Sequence, residues 1–319
     1  MDTVYLLGSW DGVSPIFGKL GDSHGKKKML LICMALYTVG VIANGFAWNI
    51  QSLLVFRALQ GLGLAMFPLA YAIIRDEFPP EKVAMATGIV SAMFGVGTAI
   101  GLVAGAWIND NFGWRMTFHS IVPLAIFVTL LAAYLLRESI IRTPSKVDYL
   151  GAGTFSAGIV AFLVAMTEGQ NWGWTSINTL GLLATSLVFF VLFFLVESRV
   201  PEPLINLTIL SKRNVFFTNV AAFVVVGLTM YMMFESIVYL VRAPQPVGFG
   251  SSIFDAGLLF VPGSILLLLA SPLAGAVVNK RGARLPLVLG SVVLSASFLY
   301  FYLLHDTKLQ ASLASWRWA

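Results

Sequence analysis

Cysteine is nearly absent from this 319-residue chain: Cys33 alone, inside an apolar run, leaves neither a disulfide framework nor a thiolate metal site. Histidine is scarce as well, and His24, His119 and His305 stand too far apart in sequence for metal-ligand spacing, so no metal is expected. There is no hydrolase nucleophile elbow and no phosphate-binding loop with its lysine. No catalytic residue and no cofactor is therefore expected, and an embedded enzyme would lack a polar cluster to work with. Charge is the third thing in short supply. Charged residues make up 11% against 58% hydrophobic, with a mean hydropathy of +0.86, which excludes an ordinary soluble domain. The opening residues carry neither a basic leader nor a cleavage site, and the expectation is an apolar span almost directly after Met1.

What the chain has instead is long apolar stretches with no charge or a single one. A bilayer core about 30 Å thick needs about 20 apolar residues in a helix. Runs of that order recur over residues 3–18, 29–47, 53–74, 83–108, 116–136, 149–167, 175–196, 214–241, 256–279 and 285–304. Runs this long and without alternation fit helices and not barrel strands, because lipid offers an open backbone no partner. The expected fold class is all-α integral membrane, with about ten transmembrane helices, the lipid bilayer as first partner and the plasma membrane as location. If the spans cross alternately, the 20 Lys and Arg residues divide sharply. Only Arg115, Arg242, Lys308 and Arg317 fall on one side and Arg57 lies within a span, so the other, lysine-rich side is expected to be cytoplasmic. The net charge of +5 then reflects topology and calls for no nucleic acid.

Asp22 sits in the run Gly18-Lys19-Leu20-Gly21-Asp22-Ser23-His24-Gly25-Lys26-Lys27-Lys28, between the first two spans. Gly18 and Gly25 permit a tight turn with close helix approach. Lys26, Lys27 and Lys28 hold the loop in the headgroup layer, although setting topology is by itself a sufficient role for lysines. The pattern G-x-x-x-D-x-x-G-[RK]-[RK] is similar to the loop between the second and third transmembrane helices of the major facilitator superfamily. The resemblance implies a helical bundle that moves a small-molecule substrate rather than reacting it. It also implies a latch at Asp22: a carboxylate that pairs with a helix N-terminus or a basic residue to hold the outward-facing state, a contact worth about 0.3 to 2 kcal/mol. Ser23 departs from the family pattern, which usually has a basic residue there.

Two further motifs lie within spans. Arg57-Ala58-Leu59-Gln60-Gly61-Leu62-Gly63 resembles the superfamily's fourth-helix pattern R-x-x-Q-G-x-G, which implies proton coupling at Arg57. An arginine deep in a bilayer costs about 2.5 to 3.5 kcal/mol and should face protein or water with a partner. Lying about 6 Å along the helix from Leu53, Arg57 could instead snorkel to the boundary. Gly97, Gly101 and Gly105 repeat every four residues along one helix face and allow a second helix to approach closely. They resemble the drug-exporter motif G-x-x-x-G-P-x-x-G-G, with Leu102 in place of the proline and Ala106 in place of the last glycine.

The run from Gly275 to Arg284 repeats the first signature: Gly275 matches Gly18, Asn279 matches Asp22, Gly282 matches Gly25 and Arg284 matches Lys27. The superfamily resemblance implies two related halves with substrate held between them near the bilayer midplane. Two spans between the halves, with Asp148-Tyr149-Leu150-Gly151, Gly173-Trp174 and Glu202-Pro203-Leu204, resemble the fourteen-helix drug:proton antiporter family. On that alignment the chain holds helices two to eleven, lacks the first and the last three, and has an incomplete second half. The expected domains are an N-terminal half-bundle over 1–138, an inserted helix pair with flanking loops over 139–213, and a partial C-terminal half-bundle over 214–319.

Two isolated acids, Asp11 and Glu235, lie within apolar runs, where an ionisable residue is a functional candidate by default. Either can exchange protons or attract a cation; Glu235, about 9 Å from the end of its run, can also reach the interface. The function expected is proton-coupled efflux of hydrophobic or amphipathic small molecules by alternating access, with protons as the coupled partner. The alternatives are a truncated membrane protein that binds partners without transporting, and uptake or export of another small solute.

Overall fold

The computed structural model describes residues 14–139, 148–245 and 247–303. Among them the chain is all helical, in the order α1 (Ser14–His24), α2 (Lys26–Gly45), α3 (Ile50–Leu62), α4 (Met66–Glu77), α5 (Pro80–Phe112), α6 (Trp114–Leu135), α7 (Tyr149–Trp172), α8 (Ile177–Glu197), the short α9 (Leu207–Leu210), α10 (Arg213–Ala221), α11 (Tyr231–Arg242), α12 (Ile253–Arg281) and α13 (Arg284–Leu303). A 3₁₀ turn, Gly63–Ala65, joins α3 to α4, and a π-helical stretch, Ala222–Met230, joins α10 to α11. Counting these joined pairs as single rods, nine helices among the described residues are long and apolar enough to cross a membrane. The remaining sequence span, 3–18, falls outside the described residues except for its end in α1.

Helix starts follow local chemistry. Asn49 and Ser52 form a capping box at α3, the Asn49 Oδ1 accepting the Ser52 N–H at 2.7 Å. Ser176 caps α8 and Ser252 caps α12 in the same manner, each satisfying a backbone donor that the first turn leaves without a partner.

The helices form two compact units, one of Met1–Glu77 with Arg115–Lys212, the other of Phe78–Trp114 with Arg213–Ala319. The boundaries expected from the sequence followed chain order. The units do not, because α5 leaves its sequence neighbours to pack on α12, and the α7–α8 hairpin stays with the first unit.

In the first unit, Met29, Leu30 and Cys33 of α2 pack against Ala65, Leu69 and Ile73, with Phe17, Leu20, Met34, Met66 and Leu136 around them. The four-residue steps from 65 to 69 to 73 keep these side chains on one stripe. Lipid tails are as apolar as leucine, so close packing and hydrogen bonds must hold such stripes together. The contacts agree. A Cβ at Gly40 would stand 2.5 Å from the Gln60 Cα, so α2 and α3 touch backbone to backbone. Within the α7–α8 hairpin, the Ser186 hydroxyl donates to the Gly158 carbonyl at 2.9 Å and Phe155 packs on Phe193.

In the second unit α5 and α12 run antiparallel along a seam of small residues. A Cβ at Gly275 would stand 2.5 Å from the Ala84 carbonyl oxygen; at Gly88, 2.6 Å from that of Ser271; at Gly95, 2.7 Å from that of Ser264; at Gly257, 3.1 Å from that of Leu102. From 88/271 to 95/264 to 102/257 both helices advance by seven residues, which keeps one face against the partner over several turns. A second core, Met233, Ile237 and Val241 against Ala256 and Phe260, fastens α11 to α12.

Candidate functional site

The lysine-rich end of the first unit is built around the break between α1 and α2. Gly25 has φ +110°, which L side chains rarely adopt, and a Cβ there would come within 2.7 Å of the Glu138 carboxyl group. Glu138 is held there by the start of α2: its Oε1 accepts the Lys27 N–H at 3.0 Å and its Oε2 the Lys28 N–H at 3.2 Å. A carboxylate at this point satisfies two open donors and meets the positive end of the helix dipole. Gly25→Ala is therefore expected to cost about 1–3 kcal/mol in denaturant titrations in detergent. Gly18→Ala, inside α1 with open space around it, should gain about 0.5–1 kcal/mol in the same assay.

Lys26 turns inward between two acids. Its Nζ lies 2.5 Å from Asp76 Oδ2 and 3.3 Å from Asp22 Oδ1, and Asp76 also accepts the Ser139 hydroxyl at 2.8 Å. Exposure ranks the two partners: the side chains of Lys26 and Asp76 are 9% and 13% exposed, that of Asp22 44%. An ion pair with an exposed member is worth about 0–1 kcal/mol, whereas removing one member of a buried pair costs about 3–5 kcal/mol. Lys19 reaches in the other direction, its Nζ donating to the Glu202 carbonyl at 2.5 Å.

Sequence reasoning singled out Asp22 and the lysines here and missed Asp76, Glu138 and Ser139. The usable signal was that Asp76 and Glu138 are acids just past the ends of apolar runs on the side where the lysines gather. Counting only the basic residues of those loops hid them.

Arg57 lies on α3, with its Nη1 3.3 Å from Gln60 Oε1 and its guanidinium carbon 4.7 Å from the centre of the Phe118 ring. Asn44, fully buried on α2, donates to the same Gln60 Oε1 at 3.0 Å. Neighbours of Phe118 on α6 fasten the α2–α3 turn: Arg115 donates to the Ala47 carbonyl at 2.9 Å, and the His119 ring meets Phe46 edge-on at 4.9 Å. Among the described residues no carboxylate lies within ion-pairing distance of Arg57. A ring face and an amide oxygen stabilise the guanidinium without neutralising it.

The other sequence candidates fall as follows. A Cβ at Gly97, Gly101 or Gly105 would meet nothing within 4 Å, and the close approach on α5 falls at Gly88 and Gly95, because α12 offers its own small residues, Gly257, Ser264 and Ser271, at a seven-residue and not a four-residue repeat. In the repeated loop, Gly275 is in the seam, Gly282 ends α12 at φ +78° and Arg284 opens α13. Asn279, the counterpart of Asp22, donates from Nδ2 to the Glu81 carbonyl at 2.6 Å and ties α12 to the first turn of α5. Glu235 is exposed on α11, and Asp11 lies outside the described residues.

Residues 1–318 match the sequence model of the Major Facilitator Superfamily. This chain belongs to that superfamily. It is 33% identical to multidrug resistance protein 3 of Bacillus subtilis, over 88% of this chain and 54% of that protein. It is 30% identical to the multidrug transporter protein MdtP of the same organism, over 94% and 54%. It is 31% identical to the tetracenomycin C resistance and export protein of Streptomyces glaucescens, over 88% and 52%. The chain thus spans about half the length of these relatives. As a Major Facilitator protein it is a multi-pass integral membrane protein, and its exterior fits: α6 buries none of its residues and turns Phe127, Leu130, Tyr134 and Leu135 outward.

Proposed function

We propose that this protein serves proton-coupled efflux of hydrophobic or amphipathic small molecules across the plasma membrane by alternating access, on a fourteen-helix plan with its lysine-rich end in the cytoplasm. The observation that carries the reading is the α5–α12 seam. Four glycines set against backbone carbonyls of the partner helix keep the seam close and, apart from Leu267 beside Gly95, low in large side chains, so two helices in such a seam can rock or slide against each other at small cost. The Lys26–Asp76 pair and the Asn279–Glu81 hydrogen bond act at helix ends, where contacts that break and re-form govern opening. Arg57, held by Gln60 and Phe118 and unneutralised by any described acid, is the group whose charge a proton-carrying carboxylate would sense. The substrate class follows the relatives, whose names refer to multidrug resistance, to multidrug transport, or to resistance to and export of tetracenomycin C.

The test uses everted membrane vesicles containing the protein and a fluorescent amphipathic dye. An imposed pH gradient should drive dye accumulation, and a protonophore should abolish it. Arg57→Ala should reduce gradient-driven accumulation about tenfold or more, a loss of at least about 1.4 kcal/mol of coupling, while Arg57→Lys keeps a part. Accumulation indifferent to the gradient in the unmodified protein would remove the coupling proposal, and an undiminished response in Arg57→Ala would remove Arg57 from it.

A further inference from the structure

The α7–α8 hairpin of the first unit ends on two buried acids that the efflux cycle does not use. Asp148 caps α7, its Oδ1 accepting the Gly151 N–H at 2.8 Å. Glu197, the last residue of α8, folds the following chain back over itself: its Oε1 accepts the Leu204 N–H at 3.0 Å and its Oε2 the Ile205 N–H at 3.2 Å. The two residues are 8% and 3% exposed. Asp148 Oδ2, although buried, has no hydrogen-bond partner. It lies towards Glu197: a Cβ at Gly151 would stand 2.9 Å from Glu197 Oε1 and nearer still to Asp148 Oδ2, so the two oxygens converge on a point that glycine leaves empty.

Two ionised carboxylates held together away from water repel, and one proton between them replaces the repulsion with a hydrogen bond. The donors already present say which oxygen carries it. Both Glu197 oxygens accept N–H bonds, and Oε1 has a second lone pair to offer. Asp148 Oδ2 has nothing to accept, so it gains a partner only by becoming an O–H donor. Among the described residues no cation takes the proton's place. The charges acting on Glu197 are those of Asp148 and of Lys19 on α1, and the Lys19 Nζ is engaged by the Glu202 carbonyl at 2.5 Å. No described Lys, Arg or His lies within ion-pairing distance of either acid, and no third described metal-ligating side chain joins them. Tyr149, Arg199 and Glu202, the titratable groups nearest in sequence on α7 and in the loop after α8, are exposed.

We propose that Asp148 and Glu197 form a proton-binding site, holding one proton between Asp148 Oδ2 and Glu197 Oε1 at neutral pH, and that this proton clasps the start of α7 to the loop leaving α8. As pH rises the proton passes to water, two negative charges are left facing each other, and the clasp loosens. The site uses none of the Arg57 contacts and requires no gradient, so it stands or falls independently of the efflux reading.

The experiment uses the full chain in detergent and two readouts. In infrared difference spectra against Asp148→Asn, the unmodified protein should show one protonated-carboxyl C=O band at neutral pH that shifts in heavy water and disappears at higher pH. The second readout is stability by denaturant titration across the same pH range. Asp148→Asn keeps Oδ1 for the Gly151 N–H and sets an amide N–H where the proton stood, so it mimics the protonated pair. Below about pH 4, where carboxyls of the unfolded chain are protonated as well, the two proteins should be equally stable. From there up to the pH at which the band is lost, the folded unmodified chain binds one proton more than the unfolded. Its folded-to-unfolded ratio should therefore fall relative to the variant by up to about tenfold per pH unit, and the gap should then hold constant. Glu197→Gln should also lack the band and be the weaker protein at every pH, because its amide N–H would meet the backbone N–H of Leu204 or Ile205. A difference spectrum without the neutral-pH band overturns the proposal, as does an Asp148→Asn that fails to fold or gains nothing over the unmodified protein as pH rises.

Discussion

Asp76→Asn lowers stability by about 3 kcal/mol, and Asp22→Asn by less than about 1 kcal/mol, in denaturant titrations of the detergent-solubilised protein. The first change leaves the Lys26 ammonium, 9% exposed, without the carboxylate 2.5 Å away and takes the ionised acceptor from the Ser139 hydroxyl. Asp22 stays 3.3 Å from Nζ and limits the loss, which places it at the lower end for a buried pair. The second change removes only the exposed partner. Lys26→Met combined with Asp76→Leu should recover much of the loss, since an apolar pair of similar volume leaves no buried charge behind. If the contact is also the latch of a transport cycle, the same ranking should appear in dye movement, with Asp76 outweighing the aspartate of the loop signature. Equal costs at 22 and 76 would refute the assignment of the buried contact.

Membrane spans were legible because lipid demands long uncharged runs, and several helices extend past those runs into charged or polar residues. The run 83–108 became Pro80–Phe112, taking in Glu81 and Lys82, since a helix end in water needs its backbone bonds but not an apolar side chain. The run 285–304 became Arg284–Leu303 almost unchanged. Partners distant in sequence were not legible. Nothing local to Lys26 points to Asp76 fifty residues away, and nothing near Asp148 announces that Glu197 will face it. Glu235 could be picked out, because an acid in an uncharged run is conspicuous, whereas Asp76 and Glu138 at run ends looked like ordinary loop charges. For Arg57 the need for company was foreseeable, but its kind was not: an amide and a ring take the place where a counter-ion was a reasonable expectation.

Gly275→Val should separate α5 from α12, whereas Gly97→Val should leave them as they are. A Cβ at 275 would stand 2.5 Å from the Ala84 carbonyl oxygen, closer than real contacts allow, and a backbone oxygen in a helix cannot turn aside as a side chain can. The rods must move apart, and the approaches at Gly88, Gly95 and Gly257 loosen with them because the seam is one continuous face. Overpacking of this kind costs about 1–3 kcal/mol. Spin labels at Met85→Cys and Leu273→Cys, both exposed positions, should report a longer distance in the variant, and gradient-driven dye movement should fall in parallel. At Gly97 a new side chain meets open space, so neither distance nor transport should change, although that glycine belongs to the four-residue repeat that resembles an exporter motif. The two repeats make opposite claims about which face of α5 carries the close contact. A Gly97→Val variant more damaged than Gly275→Val would give that face to Gly97, Gly101 and Gly105, and the seam would lose its claim to be the contact on which the helices move.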